Sequence, residues 1–178
     1  MIDISNFAFS KLTKDSLVHT FNCNDDDLNS FIIDDAQNYA NELLAVTYTL
    51  TEKHSKKIAA YFSLLNDKVA YDPNNKGFWN RINRKIHNNK RRKNYPSVKI
   101  GRLAVASEYE NQGLGSFIIN FIKSYMIKDN KTGCRFLTVD AYAKATDFYK
   151  KNDFEYITSL DVLDTTRLMY FDLKNIIK

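Results

Sequence analysis

Two closely spaced glycines precede a strongly amphipathic segment in the middle of the chain, and together they could bind a phosphate. Gly113 and Gly115 lie in the run from Gln112 to Ser116, directly before apolar residues that recur at helical spacing. A helix start offers free N–H groups and the positive end of the helix dipole, and glycine lets a phosphate approach the backbone. Val98 to Ala106 has the composition of a strand leading into this loop. The segment therefore predicts a strand, a phosphate-binding turn and a helix.

The spacing of the glycines narrows the choice of phosphorylated ligand. A nucleoside triphosphatase loop needs Gly-Lys-Ser or Gly-Lys-Thr, and the sequence contains no such run. A dinucleotide fingerprint needs a third glycine where Ile118 stands. The pyrophosphate of coenzyme A is the ligand that remains. The alternative is an ordinary glycine-containing helix start that packs in a core and binds nothing.

Two segments resemble the GNAT acyl-CoA N-acyltransferases. The glycine loop is similar to their central motif, R/Q-x-x-G-x-G/A after a strand, with Glu110 where the family usually has Arg or Gln. The run from Ala145 to Phe154 is similar to their late motif, A-x-x-F-Y-x-x-x-G-F, with Asp153 in place of the glycine. The resemblance implies the GNAT fold, an α/β architecture. Its central sheet is mixed and mostly antiparallel, with about six to seven strands, splayed central strands and flanking helices.

The resemblance also implies which residues bind acetyl-CoA. In the family, the strand before the loop pairs with the pantetheine arm through its backbone, as an added strand would, and the loop takes the pyrophosphate. Tyr142 stands where many members have an asparagine that contacts the cofactor. The implied cofactor-binding residues are Leu103, Ala104, Val105, Asn111, Gln112, Gly113, Leu114, Gly115 and Ser116, with Phe148 from the late motif.

The implied reaction is acetyl transfer from acetyl-CoA to a primary amine, by direct attack in a ternary complex. By the family pattern, a backbone N–H near Val105 polarises the thioester carbonyl. Tyr149 is the expected general acid that protonates the departing coenzyme A thiolate, and its alternative role is that of a packed aromatic. No residue is an evident general base, although Glu108 is close in sequence to the active strand.

Other catalytic arrangements find no support in the sequence. His19, His54 and His87 fall in unrelated predicted elements, so no Ser-His-Asp arrangement is indicated. Cys134 begins a predicted strand and is expected in the core. The two cysteines show no metal-ligand spacing, and we expect no metal site.

The positive charge is concentrated in one short run. Arg81 to Lys93 contains seven basic and no acidic residues, which exceeds the net charge of +5 for the whole chain. A local patch of this kind favours an anionic partner such as nucleic acid, and Trp79, His87 and Tyr95 could stack on bases. The alternative is a solvated insertion. The candidate contacts are Arg81, Arg84, Lys85, Lys90, Arg91, Arg92 and Lys93.

A narrower resemblance is to the type II toxin acetyltransferases, which acetylate the amino group of aminoacyl-tRNA. It rests on the opening Phe21-Asn22-Cys23, the strand Gly101 to Val105, the glycine loop and the Phe-Tyr pair, with Asn24 where that subgroup usually has glycine. It implies that Arg102 and the basic run contact tRNA. It also implies a possible antitoxin and a possible homodimer. Alternatives remain open: a small-molecule or protein N-acetyltransferase, a non-catalytic acyl-CoA-binding or nucleic-acid-binding module, or a partner-binding scaffold.

The length of 178 residues predicts a single GNAT domain over 1–178, with a basic insertion at about 66–96 flanked by Pro73 and Pro96. The expected order is strand, helix, paired strands, then strand-helix-strand-helix-strand-strand. The predicted first helix begins at Asp25 and presents an apolar face as far as Leu43.

The N-terminus lacks the pattern of a signal peptide, and no apolar run approaches the length of a membrane span. We therefore expect a cytoplasmic protein that does not engage the membrane.

Overall fold

The computed structural model describes residues 3–13, 16, 18–87, 92–128 and 132–177. Seven strands form a sheet in the order β1-β2-β3-β4-β5-β7-β6. Neighbouring strands β1–β2, β2–β3, β5–β7 and β6–β7 are antiparallel, and β4 is parallel to β5. The predicted α/β architecture with a mixed, mostly antiparallel sheet is therefore confirmed. The strands are β1 (Phe7–Lys11), β2 (Val46–Glu52), β3 (Ile58–Ala70), β4 (Asn94–Val105), β5 (Phe136–Tyr142), β6 (Glu155–Tyr156) and β7 (Thr166–Asp172).

The helices lie between these strands along the chain. Asp25 begins the first one, where its carboxylate accepts a hydrogen bond from the Leu28 N–H at 3.3 Å, as expected for a helix N-cap. The parallel contact of β4 with β5 pairs Ser97–Lys99 with Phe136–Thr138. The helices are α1 (Asp26–Ser30), a π-helical turn (Phe31–Asp35), α2 (Ala36–Asn41), α3 (Lys76–Arg84), α4 (Leu114–Ile127) and α5 (Thr146–Lys151).

The chain divides into two compact units. The first comprises Met1–Leu65 and Ile100–Ile122, and the second comprises Asn66–Lys99 and Lys123–Lys178. The single-domain organisation stays a prediction. Within the described ranges, no helix has the length and apolar character needed to cross a membrane.

In the first unit, helices cover both faces of the sheet. Tyr61 and Phe62 are consecutive in β3, so their side chains point to opposite faces. The Tyr61 ring stacks on Phe31 at 6.1 Å between centroids, and its hydroxyl donates to the Leu28 carbonyl at 2.6 Å. The Phe62 ring contacts Phe121 of α4 at 6.1 Å. The α1–α2 segment therefore packs on one face and α4 on the other.

In the second unit, α3 packs its apolar stripe into the core. Phe78, Trp79 and Ile82 are buried, and the Trp79 ring stacks on Tyr95 at 5.3 Å. Trp79 and Tyr95 are 7% and 4% exposed. The prediction that these two rings stack on nucleic acid is therefore wrong, because they fill the core beneath the basic helix.

The predicted insertion at 66–96 is shorter in the structure. β3 continues to Ala70, and Asp67 in this extension accepts a hydrogen bond from the Thr138 hydroxyl at 2.5 Å. Pro96 lies inside β4 and does not bound the insertion. The first helical segment ends at Asn41. Leu43, expected on its apolar face, has a positive φ of 58° and is 90% exposed.

Candidate active site

The glycine loop leads into α4 through two residues in left-handed backbone conformation. Asn111 has φ 58° and Gly113 has φ 87°. The Phe117 N–H donates to the Gly113 carbonyl at 3.0 Å, so Gly113 closes the first helical turn. Leu114 and Gly115 then lie in the first turn, where backbone N–H groups have no carbonyl of the same helix to bond. Left-handed turns next to a helix start make a concave set of amides suited to an anion.

Gly113 offers a specific test of this loop. An added Cβ at Gly113 meets nothing within 4 Å, so Gly113→Ala causes backbone strain of about 1 kcal/mol and no clash. We expect the KM for acetyl-CoA to rise about fivefold to tenfold as the amides shift. Gly77→Ala is the matched control, because Gly77 also has nothing within 4 Å but lies in α3 with ordinary φ. An unchanged KM in Gly113→Ala would remove the loop from cofactor binding.

The segment between β4 and this loop is fixed to the first unit by its backbone. The Ala106 N–H donates to the Ala59 carbonyl at 2.8 Å, and the Ser107 N–H donates to the Asn22 carbonyl at 2.9 Å. Glu108, the nearest candidate for a general base, forms an exposed ion pair with Lys57 at 3.1 Å. That pairing holds the Glu108 carboxylate at the protein surface.

The surroundings of Cys23 disfavour its thiolate form. Burial raises the pKa of the Cys23 thiol, and the nearby carboxylates of Asp25 and Glu110 raise it further. The Glu110 carboxylate therefore interacts electrostatically with Cys23, in the loop that precedes α1. Glu110 is exposed, which is compatible with a carboxylate turned away from a bound pyrophosphate.

The strand residues expected to pair with pantetheine lie at the end of β4. Ala104 is buried, and Leu103 and Val105 are half-buried. Arg102, expected to contact tRNA, directs its guanidinium at α1, 5.1 Å from the centroid of the Phe31 ring and 3.5 Å from a carboxylate oxygen of Asp27. Its role in substrate binding stays a prediction.

Tyr149 lies in α5, in the second unit, together with Phe148. The Tyr149 side chain is 6% exposed, and its ring contacts Phe148 at 5.1 Å and Phe154 at 5.4 Å. Burial raises the pKa of the Tyr149 phenol. Within the described residues its hydroxyl has no hydrogen-bond partner. The phenol therefore stays protonated at neutral pH, as a proton donor must.

Because three tyrosines are buried, we expect the free energy of unfolding to fall at alkaline pH. Burial raises the pKa of Tyr61, of Tyr149 and, to about 12, of Tyr170. The folded protein keeps these phenols protonated, whereas the unfolded chain ionises near pH 10. Below about pH 10 the phenols are protonated in both the folded and the unfolded state, so their full contribution to the free energy of unfolding is present. Above it, each lowers the free energy of unfolding by about 1.4 kcal/mol per pH unit, until its folded pKa is reached. Urea unfolding from about pH 8 to about pH 11 measures this slope, which Tyr170→Phe should reduce.

The described residues of the basic run are all exposed: Arg81 and Arg84 in α3, Lys85 at its end, and Arg92 and Lys93 directly before β4. Arg81 pairs with Glu155 at 3.4 Å. Lys90 and Arg91, also predicted to bind substrate, lie outside the described residues. Within the basic run, the exposed cations that form no ion pair with another described residue are Arg84, Lys85, Arg92 and Lys93.

Sequence reasoning overlooked two polar features of the second unit. Lys123 is buried in α4, and its position one residue after Ile122 and four after Ile119 places it on the buried side of that helix. Tyr156 lies near two cations, with the Lys150 ammonium 5.3 Å and the Arg167 guanidinium 4.1 Å from the centroid of its ring. Hydrogen bonding with Thr146 and Lys150 lowers the pKa of its phenol. Helical spacing could have identified Lys123, but no local pattern marks Tyr156.

A match to a known protein family identifies the reaction class of this chain. The family described as an acetyltransferase (GNAT) domain matches residues 68–156, half of the chain. The chain belongs to the GNAT acetyltransferase family. This GNAT protein is accordingly an acetyl-CoA-dependent N-acetyltransferase, and the predicted enzyme class and cofactor are confirmed. The open left-handed glycine and the amides that begin α4 fit the pyrophosphate of such a cofactor.

Solved structures with the same fold include bacterial toxins. AtaT complexed with acetyl-methionyl-tRNAfMet is 23% identical with a TM-score of 0.73, covering 96% of this chain and 97% of that one. A tyrosine-to-phenylalanine mutant of the AtaT toxin, bound to the C-terminus of the antitoxin AtaR and acetyl-CoA, is 22% identical with a TM-score of 0.69, covering 96% of each chain. A tyrosine-to-phenylalanine mutant of KacT is 19% identical with a TM-score of 0.73, covering 97% and 98%. No curated protein matches the chain in sequence.

Proposed function

We propose that this GNAT enzyme acetylates the α-amino group of aminoacyl-tRNA. The observation that carries the proposal is the set of exposed basic residues at the end of α3 and directly before β4. There, Arg84, Lys85, Arg92 and Lys93 have no acidic partner within the described residues. Cations without internal partners are available to phosphates, and a patch of them favours a polyanionic substrate. The fold shared with AtaT, which was solved with acetyl-methionyl-tRNAfMet, supports the same substrate class.

We assign the cofactor to the glycine loop and to the end of β4. The backbone amides at Leu114 and Gly115 receive the pyrophosphate. The backbone of Leu103, Ala104 and Val105 pairs with the amide-containing arm, as a strand would. Bound acetyl-CoA supplies the thioester whose acetyl group forms a C–N bond with the amine while its C–S bond breaks.

Tyr149 protonates the leaving sulfur in this scheme. Its phenol gives its proton to the thiolate, and the proton lost by the attacking amine passes to solvent, from which Tyr149 is reprotonated. Because burial raises the pKa of Tyr149, its phenol carries the proton at neutral pH and can give it to the sulfur as the C–S bond breaks. The N–H near Val105 stabilises the carbonyl oxygen as charge develops on it. The attacking amine must be neutral, and solvent accepts its proton because Glu108 is held in its surface pair with Lys57.

The proposal extends to partners and location. The likeness to AtaT bound to the C-terminus of the antitoxin AtaR supports an antitoxin partner for this chain. A homodimer, predicted by resemblance to toxin acetyltransferases, belongs to the same proposal. We propose a cytoplasmic location, because aminoacyl-tRNA and acetyl-CoA are both available there.

A panel of acceptors tests the substrate class. Release of coenzyme A thiol from acetyl-CoA is measured with bulk aminoacyl-tRNA, deacylated tRNA, polyamines, free amino acids and short peptides. We expect turnover with aminoacyl-tRNA and none with deacylated tRNA, because the latter lacks the amine. Turnover confined to polyamines, amino acids or peptides would retain the enzyme class and exclude the tRNA substrate. The absence of turnover with all acceptors, with acetyl-CoA still bound, would favour a binding module.

A further inference from the structure

Lys123 is a charged residue inside the apolar packing of α4. It is 4% exposed and lies among buried isoleucines of the same helix, including Ile119 and Ile122. Burial lowers the pKa of the Lys123 ammonium, while the Asp153 carboxylate acts in the opposite direction. A buried lysine is costly unless its donors are satisfied, so the contacts of this ammonium indicate what it holds in place.

The ammonium of Lys123 contacts the turn that ends α5. Its Nζ donates to the Asn152 carbonyl at 2.8 Å and lies 3.4 Å from a carboxylate oxygen of Asp153. The same nitrogen lies 3.8 Å from the centroid of the Phe171 ring and 5.9 Å from that of Phe154. Lys123 therefore binds both the polar and the aromatic side of this turn.

That turn is a Schellman motif whose first residue is Tyr149. The Phe154 N–H donates to the Tyr149 carbonyl at 3.0 Å, and the Asp153 N–H donates to the Lys150 carbonyl at 2.9 Å. The Phe154 and Tyr149 rings make the hydrophobic contact that accompanies this motif, at 5.4 Å. Asp153 occupies the left-handed position, with φ 63°, where glycine is preferred. Aspartate adopts this conformation less readily than glycine, so an external contact that stabilises the turn offsets the difference.

We infer that Lys123 is a positioning residue for Tyr149, acting through the C-terminal turn of α5. The ammonium holds the Asn152 carbonyl and the Phe154 ring, and these two groups fix the backbone and the ring of Tyr149. This inference rests on the proposed acid role of Tyr149. Lys123 supplies through its ammonium what the glycine of the family motif supplies through its backbone freedom, namely a stable left-handed turn.

Lys123→Met tests the inference, because methionine keeps the length and apolar stem of lysine but cannot donate. We expect kcat to fall about tenfold with the KM for acetyl-CoA within about threefold of wild type, as expected for a displaced catalytic group. Adding Asp153→Gly should restore kcat to within about threefold, because glycine adopts the left-handed conformation without strain. This double variant also keeps the test usable if Lys123→Met alone does not fold.

Two further variants separate positioning from stability. Ile119→Val, one turn earlier on the buried side of α4, should lower the thermal midpoint and leave kcat unchanged. Lys123→Met added to Tyr149→Phe should cause no further loss of kcat, because both changes act on the same group. The positioning role would be overturned if Lys123→Met lowered kcat by the same factor in the Tyr149→Phe background as in the wild type. It would also be overturned if Asp153→Gly did not restore kcat. Wild-type kcat in Tyr149→Phe alone would instead overturn the proposed acid, irrespective of Lys123.

Discussion

Tyr149→Phe lowers kcat for acetyl transfer by about 100-fold and leaves the KM for acetyl-CoA within about threefold of wild type. The substitution removes the proton donated to the thiolate and retains the ring that packs on Phe148 and Phe154. The phenol hydroxyl makes no hydrogen bond within the described residues, so its loss leaves no described partner unsatisfied. Thermal unfolding of the variant should therefore match the wild type, and steady-state kinetics measure the catalytic effect.

Tyr156→Phe is the matched control for this experiment. Tyr156 belongs to the same unit, and hydrogen bonds from Thr146 and Lys150 lower the pKa of its phenol, so it is the competing proton donor. We expect wild-type kcat in Tyr156→Phe. Retention of kcat in Tyr149→Phe together with its loss in Tyr156→Phe would transfer the acid role to Tyr156.

Charge reversal on the basic surface has the second large effect. Arg84→Glu combined with Lys85→Glu should raise the KM for aminoacyl-tRNA by at least about tenfold, because two phosphate contacts become repulsive. The slope of log KM against log salt concentration should decrease by about 2, one unit for each lost contact. Both residues are exposed at the end of α3, so folding should be preserved.

Reversal of two other exposed lysines, Lys11→Glu with Lys174→Glu, changes the net charge equally and provides the control. It should leave the KM for aminoacyl-tRNA within about twofold. If both double charge reversals raised the KM for aminoacyl-tRNA equally, the basic run would act only through the net charge of the protein. An unchanged KM in the Arg84 and Lys85 variant would exclude this surface from substrate binding.

The fold and the conformation of the glycine loop could be predicted because each depends on local patterns. The left-handed Gly113 and the start of α4 at Leu114 follow from glycine chemistry and helical periodicity. Asp153, which replaces the glycine of the late motif, also adopts the left-handed conformation.

Features that depend on tertiary packing could not be predicted from the sequence. The apolar stripe of α3 overlaps the basic run, so the sequence allows Trp79 and Tyr95 to stack on bases, whereas in the structure the two rings pack on each other. Lysine is a residue type that usually faces solvent. The burial of Lys123 depends on a hydrogen bond to the Asn152 carbonyl, 29 residues away in sequence. Polar residues at 66–68 suggested a loop, whereas β3 continues through them because a strand can expose polar side chains on one face.

Chemical identification of the product tests the central claim most directly. Aminoacyl-tRNA is incubated with the enzyme and acetyl-CoA, the ester bond to tRNA is hydrolysed with mild base, and the released amino acid is examined by mass spectrometry. The proposed function predicts an N-acetyl amino acid with the wild type and almost none with Tyr149→Phe. Unmodified amino acid from the wild-type reaction, under conditions where another amine is acetylated, would contradict it.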